Sequence, residues 1–198
     1  MGAIFLSASV PVRPPYDADA RPQEIQAAVS ALAQVTLGRK KLVWGGHPAI
    51  TPLLWAAAQA VGVEYAAVVE LFQSRLYEDD FPDENKHFAN VTYVDAVDGD
   101  KVKSLAAMRT AMLTSCEFEA AVFIGGMDGV NQEYEMFVTK WPNAACIPLA
   151  LTGGATRELA QRIGYAPGVD AAPLDFVALL YHELRIRPRE KREYKKAT

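Results

Sequence analysis

Short, almost continuous apolar runs recur along the chain, and longer segments that mix apolar and polar residues separate them. Runs of this kind are typical of strands that are buried on both faces of a parallel sheet. Strands are predicted in this way at 3–10, 41–46, 64–72, 91–97, 119–124 and 145–151.

The segments between the runs place apolar residues three or four positions apart, which is the spacing of one helix face. The first of these helices is expected to stop at Gly38, which follows its last apolar turn. In the second, Thr51 is the expected N-cap and Pro52 the first helical residue. Helices are predicted at 22–38, 51–62, 99–116, 129–141 and 173–184.

Strands that alternate with helices predict an α/β domain, with a mostly parallel sheet of six or seven strands and helices on both faces. We expect one such domain over residues 1–186 and a basic, mobile tail over 187–198. The polar segment 73–90 is irregular, and its acidic run 78–84 is expected to be a solvated loop. Ligands of parallel sheets bind outside the carboxyl ends of the strands, so the candidate functional residues are expected there.

The composition of the 198-residue chain argues against several classes of protein. A net charge of −4 disfavours a general nucleic-acid binder, because such proteins carry a basic face. The cysteines and histidines have neither metal-site nor disulfide-framework spacing, so no metal or cofactor is expected. The N-terminus lacks a basic signal region and no apolar run is long enough to cross a bilayer, so we expect a cytoplasmic protein without a membrane partner.

Small and glycine-rich residues follow four of the predicted strands. Glycines allow a ligand to approach backbone amides closely, and the N-terminus of a following helix attracts phosphate. One glycine turn is weak evidence, because such corners are common in α/β folds, but several on one sheet edge indicate a phosphate site. The candidate ligand contacts are Ser7, Ser9, Gly45, Gly46, His47, Thr51, Gly125, Gly126, Met127, Asp128, Gly129, Glu133, Gly153, Gly154 and Ala155.

Two common nucleotide-binding motifs are absent from these turns. The chain contains no G-x-x-x-x-G-K-[ST], which excludes a P-loop NTPase. The first strand leads into "SASVPVRPP" rather than into G-x-G-x-x-G, which argues against ordinary NAD-dependent dehydrogenase chemistry.

Several candidate residues also have a purely structural interpretation. Glu133 is a ribose-hydroxyl acceptor, a general acid or base, or an acid that is favourably placed in the first turns of a helix. Arg109 is a phosphate clamp or a surface arginine with a buried stem. His47 is a ligand contact or a structural histidine, while Asp128 caps the turn or binds a ribose hydroxyl.

The segments "FLSASVP", "KLVWGGHPAITPLLWAAA" and "GGMDGVNQE" together resemble the SLOG superfamily over residues 3–165. This Rossmann-like group includes the phosphoribohydrolases that activate cytokinins, so the resemblance implies a three-layer sandwich. It aligns Gly125, Gly126, Gly129 and Glu133 with the glycine turn and glutamate of those enzymes. It also aligns Arg109 with the arginine on their preceding helix.

The chain departs from the enzyme pattern within this turn. Ile124 stands where the enzymes have proline, Asp128 is an extra residue, and Val130 replaces a threonine. These departures count against hydrolysis more than against nucleotide binding. Defence-associated SLOG domains bind signalling nucleotides derived from NAD, such as cyclic ADP-ribose isomers, without consuming them.

The resemblance therefore implies a homo-oligomeric sensor of an ADP-ribose-type nucleotide in bacterial defence or stress signalling, with an effector protein as a candidate partner. Two alternatives stay open. One is an enzyme that cleaves the N-glycosidic bond of nucleoside 5′-monophosphates, with Glu133 and Arg109 as its catalytic pair. The other is a non-catalytic interaction module.

Overall fold

Among the residues that the structure describes, six strands form one sheet in which all neighbouring strands run parallel. The structure is a computed structural model and describes residues 2–168 and 175–193. The predicted α/β class with a parallel sheet is confirmed. In the sheet order β4-β3-β2-β1-β5-β6, the strands are β1 (Ala3–Ser9), β2 (Lys41–Trp44), β3 (Val69–Ser74), β4 (Asn90–Val94), β5 (Phe118–Gly125) and β6 (Ala145–Pro148).

Helices cover both faces of this sheet and complete a three-layer, Rossmann-like sandwich. The first, second and sixth helices pack in one apolar cluster, and the third, fourth and fifth pack in another on the opposite face. The helices are α1 (Pro22–Thr36), α2 (Thr51–Val61), α3 (Lys101–Thr114), α4 (Asp128–Lys140), α5 (Gly154–Arg162) and α6 (Phe176–Glu183). Residues 173 and 174 of the predicted last helix lie outside the described residues.

Strand β1 illustrates why the strand sequences lack polar alternation. Ile4 and Leu6 pack with the cluster of α1 and α2, whereas Phe5 belongs to the cluster on the other face. The ring of Phe5 stacks on Phe137 of α4, with 5.6 Å between the centroids. Successive strand side chains point to opposite faces, so helices on both faces require apolar residues at every position.

The third strand begins at Val69 rather than at residue 64, so its prediction was wrong over 64–68. Gly62 ends α2 with a φ of 140°, and Val63–Val68 continue as a 3₁₀ turn. Val69 is the first residue that pairs with β2, opposite Leu42. A short apolar run does not by itself distinguish a buried turn from a buried strand.

Thr51 is not the N-cap of α2, contrary to the prediction. Ile50 occupies the N-cap position, and Thr51 is the first helical residue. The Thr51 hydroxyl donates backwards to the carbonyl oxygen of His47 at 3.3 Å and is buried, so it does not reach the N–H groups of the first helical turn. The hydroxyl therefore stabilises the turn between β2 and α2.

The C-terminal segment returns to the end of α1. Arg192 donates to the carbonyl oxygens of Gln34 and Leu37, and Arg39 donates to the carbonyl oxygen of Glu190. Residues 187–193 of the predicted tail are attached to the domain by these bonds. The remainder of that predicted tail, 194–198, lies outside the described residues.

The strand order reverses beside β1. From β1 the chain moves outward through β2, β3 and β4, and it then returns to place β5 on the other side of β1. The connections at such a switch point diverge to opposite faces and leave a crevice at the carboxyl ends of the strands. None of the described helices combines the length and apolar character that a membrane span needs.

Candidate functional site

A cavity of about 1120 Å³ lies at the carboxyl ends of β1, β2 and β3, next to the switch point. The 3₁₀ segment after β3, the helix α3 and the start of α4 form the rest of its wall. The volume is ample for a dinucleotide-sized ligand, since typical small-molecule pockets have about 300–1,000 Å³. Of the residues predicted from the sequence, those that line the cavity are Ser7, Ser9, Gly45, Gly46, His47, Arg109, Met127, Asp128, Gly129 and Glu133.

Glu133 lies at the centre of a hydrogen-bonded group on the cavity wall. The Ser7 hydroxyl at the end of β1 donates to Oε2 of Glu133 at 2.5 Å. The Arg109 guanidinium on α3 donates to Oε1 at 3.1 Å and to the side-chain oxygen of Gln132 at 2.8 Å. Three elements therefore converge on one carboxylate, because β1 and the helices α3 and α4 meet at the switch point.

The first turn of α4 presents unpaired donors to the same cavity. Met127 is the N-cap, and no side chain of the described part of the chain caps the helix. Within the described residues, the N–H groups of Met127, Asp128 and Gly129 have no hydrogen-bond acceptor. The N-terminus of a helix also carries a partial positive charge, so this turn can bind an anion.

The glycine pair Gly125 and Gly126 lies behind this turn and shapes it without lining the cavity. Both residues have positive φ values, 60° and 81°, which glycine adopts without strain. The N–H of Gly126 donates to the carbonyl oxygen of Ser9 at 2.8 Å, and a Cβ at Gly126 would collide with Val130. The pair thus lets α4 begin directly beside the end of β1.

The turn Gly153–Gly154–Ala155 also stays outside the cavity. The N–H of Ala155 donates to the carbonyl oxygen of Gly126 at 2.9 Å, and a Cβ at Gly154 would lie 2.6 Å from that oxygen. Thr152 accepts a hydrogen bond from the N–H of Gly125 at 2.7 Å. This turn therefore supports the turn between β5 and α4 from behind.

His47 lies where β2 ends, after the pair Gly45 and Gly46. Its Nδ1 accepts a hydrogen bond from the N–H of Ala49 at 3.2 Å, which leaves the proton of the neutral ring on Nε2. Burial lowers the pKa of His47, so the ring is neutral near pH 7. The carbonyl oxygen of Gly46 accepts from the Gln73 side chain at 3.0 Å, which fixes this turn against β3.

Asp128, the extra residue of the turn, is bound by Tyr16. The Tyr16 hydroxyl donates to Oδ1 of Asp128 at 3.1 Å, and burial followed by this acidic partner raises the pKa of Tyr16. Asp128 does not cap the helix with its side chain. Its carboxylate is anchored to the loop after β1 while its N–H stays unpaired within the described residues.

Sequence reasoning missed a second group of lining residues, which follow β1 and β3 or begin α3. Arg13 has no ion-pair partner among the described residues, and Arg13 and Lys101 add positive charge to the wall. The irregular composition of 73–90 gave no sign that this segment folds over the cavity. The lining residues missed include Arg13, Gln73, Tyr77, Asp80, Phe81, Lys101, Val102 and Leu105.

The remaining histidines lie away from this cavity. His87 stacks on Trp55, with 4.4 Å between the ring centroids, and His182 contacts Glu183 at 3.2 Å. Across residues 2–168 and 175–193, no three His, Cys, Asp or Glu side chains are grouped to hold a metal ion.

A family model described as the SLOG cluster3 family matches residues 15–184. The match spans most of the chain, including all elements from α1 to α6, so the chain belongs to this family. The resemblance to the SLOG superfamily that the glycine turns suggested is confirmed. No curated protein matches the chain.

Proposed function

We propose that this member of the SLOG cluster3 family is a sensor that binds a phosphorylated, nucleotide-derived small molecule of the ADP-ribose type. One observation carries the proposal: the N–H groups at the start of α4 have no acceptor within the described residues and lie at the wall of a cavity at the switch point. Phosphate satisfies such donors, and the helix dipole favours its charge.

A ribose next to this phosphate would find both donors and acceptors. Ser9 and Ser7 lie at the end of β1, and the Glu133 carboxylate accepts hydrogen bonds only. Ser7 and Arg109 already fix Glu133, so the carboxylate is oriented before a ligand arrives. Such preorganisation reduces the entropy that binding must overcome.

Two features favour a sensor over a hydrolase. Val130, which stands where the enzymes have threonine, is buried and offers no hydroxyl to a phosphate. Asp128 adds a negative charge to the first turn of α4, where Tyr16 anchors it. We therefore assign Glu133 and Arg109 to ligand binding in the first instance.

Backbone recognition of phosphate has a direct test at Asp128. This residue is the first of α4 and follows Met127, which is extended, so proline fits there while removing one N–H group. Asp128→Ala is the matched control, because it removes the same carboxylate but keeps the N–H. We expect Asp128→Pro to bind phosphorylated ligands about 10-fold or more weakly than Asp128→Ala, since hydrogen bonds to charged groups contribute about 1.5–3 kcal/mol.

The ligands for this test are ADP-ribose, cyclic ADP-ribose isomers, AMP and ribose 5-phosphate, with adenosine as the control that lacks phosphate. We expect phosphorylated compounds, and not adenosine, to raise the melting temperature, because a ligand that binds only the folded state stabilises it. If none of them binds by calorimetry, the sensor proposal fails and the interaction module replaces it.

The second candidate is a nucleoside 5′-monophosphate N-glycosidase. The contact between Arg109 and Glu133 favours it, since a fixed carboxylate beside a cation in a cavity can orient water and stabilise a developing positive charge on ribose. Release of base from AMP distinguishes the two candidates.

The defence or stress-signalling context, the homo-oligomer and the effector partner belong to the same proposal. A sensor must change an interaction when its ligand binds, because a ligand shifts only equilibria between states that it binds differently. Light scattering with and without ADP-ribose tests this: a change in oligomeric mass supports ligand-controlled assembly, and an unchanged monomer contradicts it.

A further inference from the structure

The wall of the cavity divides into two chemically different parts. The ends of β1 and the start of α4 provide hydroxyls, a carboxylate and backbone donors. The segment after β3 and the first turns of α3 provide mostly apolar and aromatic groups instead: Tyr77, Phe81, Pro82, Val102, Leu105 and Ala106. Val102 is 77% exposed and adds to this apolar part of the wall.

The aromatic part is held in place by its own contacts. Phe81 stacks on Tyr93 of β4, with 5.6 Å between the ring centroids. The guanidinium of Arg75 lies over the Tyr93 ring, 5.1 Å from its centroid, and forms an ion pair with Asp95 at 3.3 Å. It also donates to Glu78 at 2.8 Å. The segment is thus fixed to the sheet edge, and little entropy is lost when a ring packs against it.

Asp80 lies within this aromatic part, and its carboxylate has no partner among the described residues. The neighbouring acids Glu78 and Asp83 are both paired, with Arg75 and Lys86 respectively. A carboxylate accepts hydrogen bonds and cannot donate them, so it favours a ligand group that carries N–H. The same carboxylate repels a ligand edge that presents carbonyl oxygens, because both groups are hydrogen-bond acceptors.

We infer that the base of the bound nucleotide packs against Tyr77, Phe81 and α3, and that Asp80 selects bases that carry an exocyclic amino group. The inference rests on the proposed nucleotide binding and extends it to the base. A planar base has an apolar π face on each side, which suits the aromatic segment, and stacking on aromatic side chains contributes about 1–3 kcal/mol per base. The amino group of adenine, cytosine or guanine supplies the N–H that Asp80 accepts.

Three ligands separate the parts of the nucleotide. Ribose 5-phosphate lacks the base, AMP has the complete base, and purine riboside 5′-monophosphate differs from AMP by the missing amino group. By calorimetry on the wild-type chain, we expect AMP to bind at least about fivefold more tightly than ribose 5-phosphate. We expect purine riboside 5′-monophosphate to fall between them.

The variants assign these differences to residues. Tyr77→Ala should reduce the preference for AMP over ribose 5-phosphate and leave the affinity for ribose 5-phosphate unchanged, which also shows that the variant is folded. Asp80→Ala should remove the preference for AMP over purine riboside 5′-monophosphate. Asp79→Ala is the matched control, because Asp79 is an exposed acid next to Asp80 that does not line the cavity.

The outcomes distinguish the two proposals. If AMP and ribose 5-phosphate bind the wild type equally well, the base subsite is overturned and the proposed phosphate site stands. The subsite is also overturned if Tyr77→Ala weakens both ligands alike, or if Asp79→Ala and Asp80→Ala behave identically. If neither AMP nor ribose 5-phosphate binds, the base subsite is overturned, and the sensor proposal fails with it only if ADP-ribose and the cyclic ADP-ribose isomers do not bind either.

Discussion

The guanidinium of Arg109 and the carboxylate of Glu133 lie 3.1 Å apart and join α3 to α4 at the cavity wall. Only 11% and 16% of their side chains are exposed, so water screens the pair weakly. We expect Arg109→Ala to lower the free energy of unfolding by about 1–3 kcal/mol, because it leaves a mostly buried carboxylate without its cation. Urea denaturation measures this loss.

The matched control is Arg162→Ala. Arg162 and Glu135 form a pair at 3.2 Å, but 49% and 61% of their side chains are exposed. Exposed pairs contribute about 0–1 kcal/mol, so this variant should unfold close to the wild type. If both arginine variants lose the same free energy of unfolding, the view that water screens the Arg109–Glu133 pair less than the Arg162–Glu135 pair is contradicted.

Glu133→Gln tests whether the cavity is catalytic. A sensor should release no base from AMP, CMP or NAD, either as wild type or as Glu133→Gln, when the products are separated by chromatography. The variant should nevertheless have a lower affinity for nucleotide than the wild type, since an amide is a poorer hydrogen-bond acceptor than a carboxylate. Wild-type turnover that Glu133→Gln abolishes would contradict the sensor and establish the N-glycosidase.

The convergence of Ser7 and Glu133 shows how far the sequence predicts this cavity. Ser7 lies near the end of β1 and Glu133 in the helix that follows β5; both strands were predicted from buried apolar runs, and the carboxyl ends of parallel strands share one edge. From the sequence alone, that rule predicts that the ends of β1 and β5 lie close together. It leaves open which carboxylate oxygen Ser7 binds and that Arg109 binds the other.

Contacts made by irregular segments could not be predicted in the same way. Tyr16 binds Asp128 from a 3₁₀ region after β1, and Tyr77 and Phe81 reach the cavity from the segment after β3. Periodicity carries information only where a regular helix or strand repeats it. Periodicity also gave no sign of how Gly154 is placed, since its glycine turn lies at the correct sheet edge but packs behind another turn and does not line the cavity.

Thr152 links the two glycine turns, which makes it a sensitive position. Its hydroxyl accepts from the N–H of Gly125 at 2.7 Å and donates to the carbonyl oxygen of Leu149 at 2.6 Å, and the side chain is fully buried. Thr152→Val should lower the free energy of unfolding by about 1–3 kcal/mol, because both partners lose a buried hydrogen bond. Thr152→Ser keeps the hydroxyl and should lose less in chemical denaturation; a similar loss in both variants would indicate that the methyl group matters instead.

Burial of His47 couples the stability of the protein to pH. Because the pKa of His47 in the folded protein is lowered, the unfolded chain binds a proton at this residue near pH 6.5 while the folded protein does not. The contribution of His47 to stability is therefore complete above about pH 6.5 and decreases as the pH falls towards the folded pKa. His47→Gln removes this proton uptake. We compare the unfolding free energies of the wild type and His47→Gln by urea denaturation at several pH values between about 5 and 7.5. As the pH rises over this range, the wild type should become more stable relative to His47→Gln. A difference that stays constant with pH would contradict the lowered pKa, because it would mean that the ring takes up its proton equally readily in the folded and the unfolded protein.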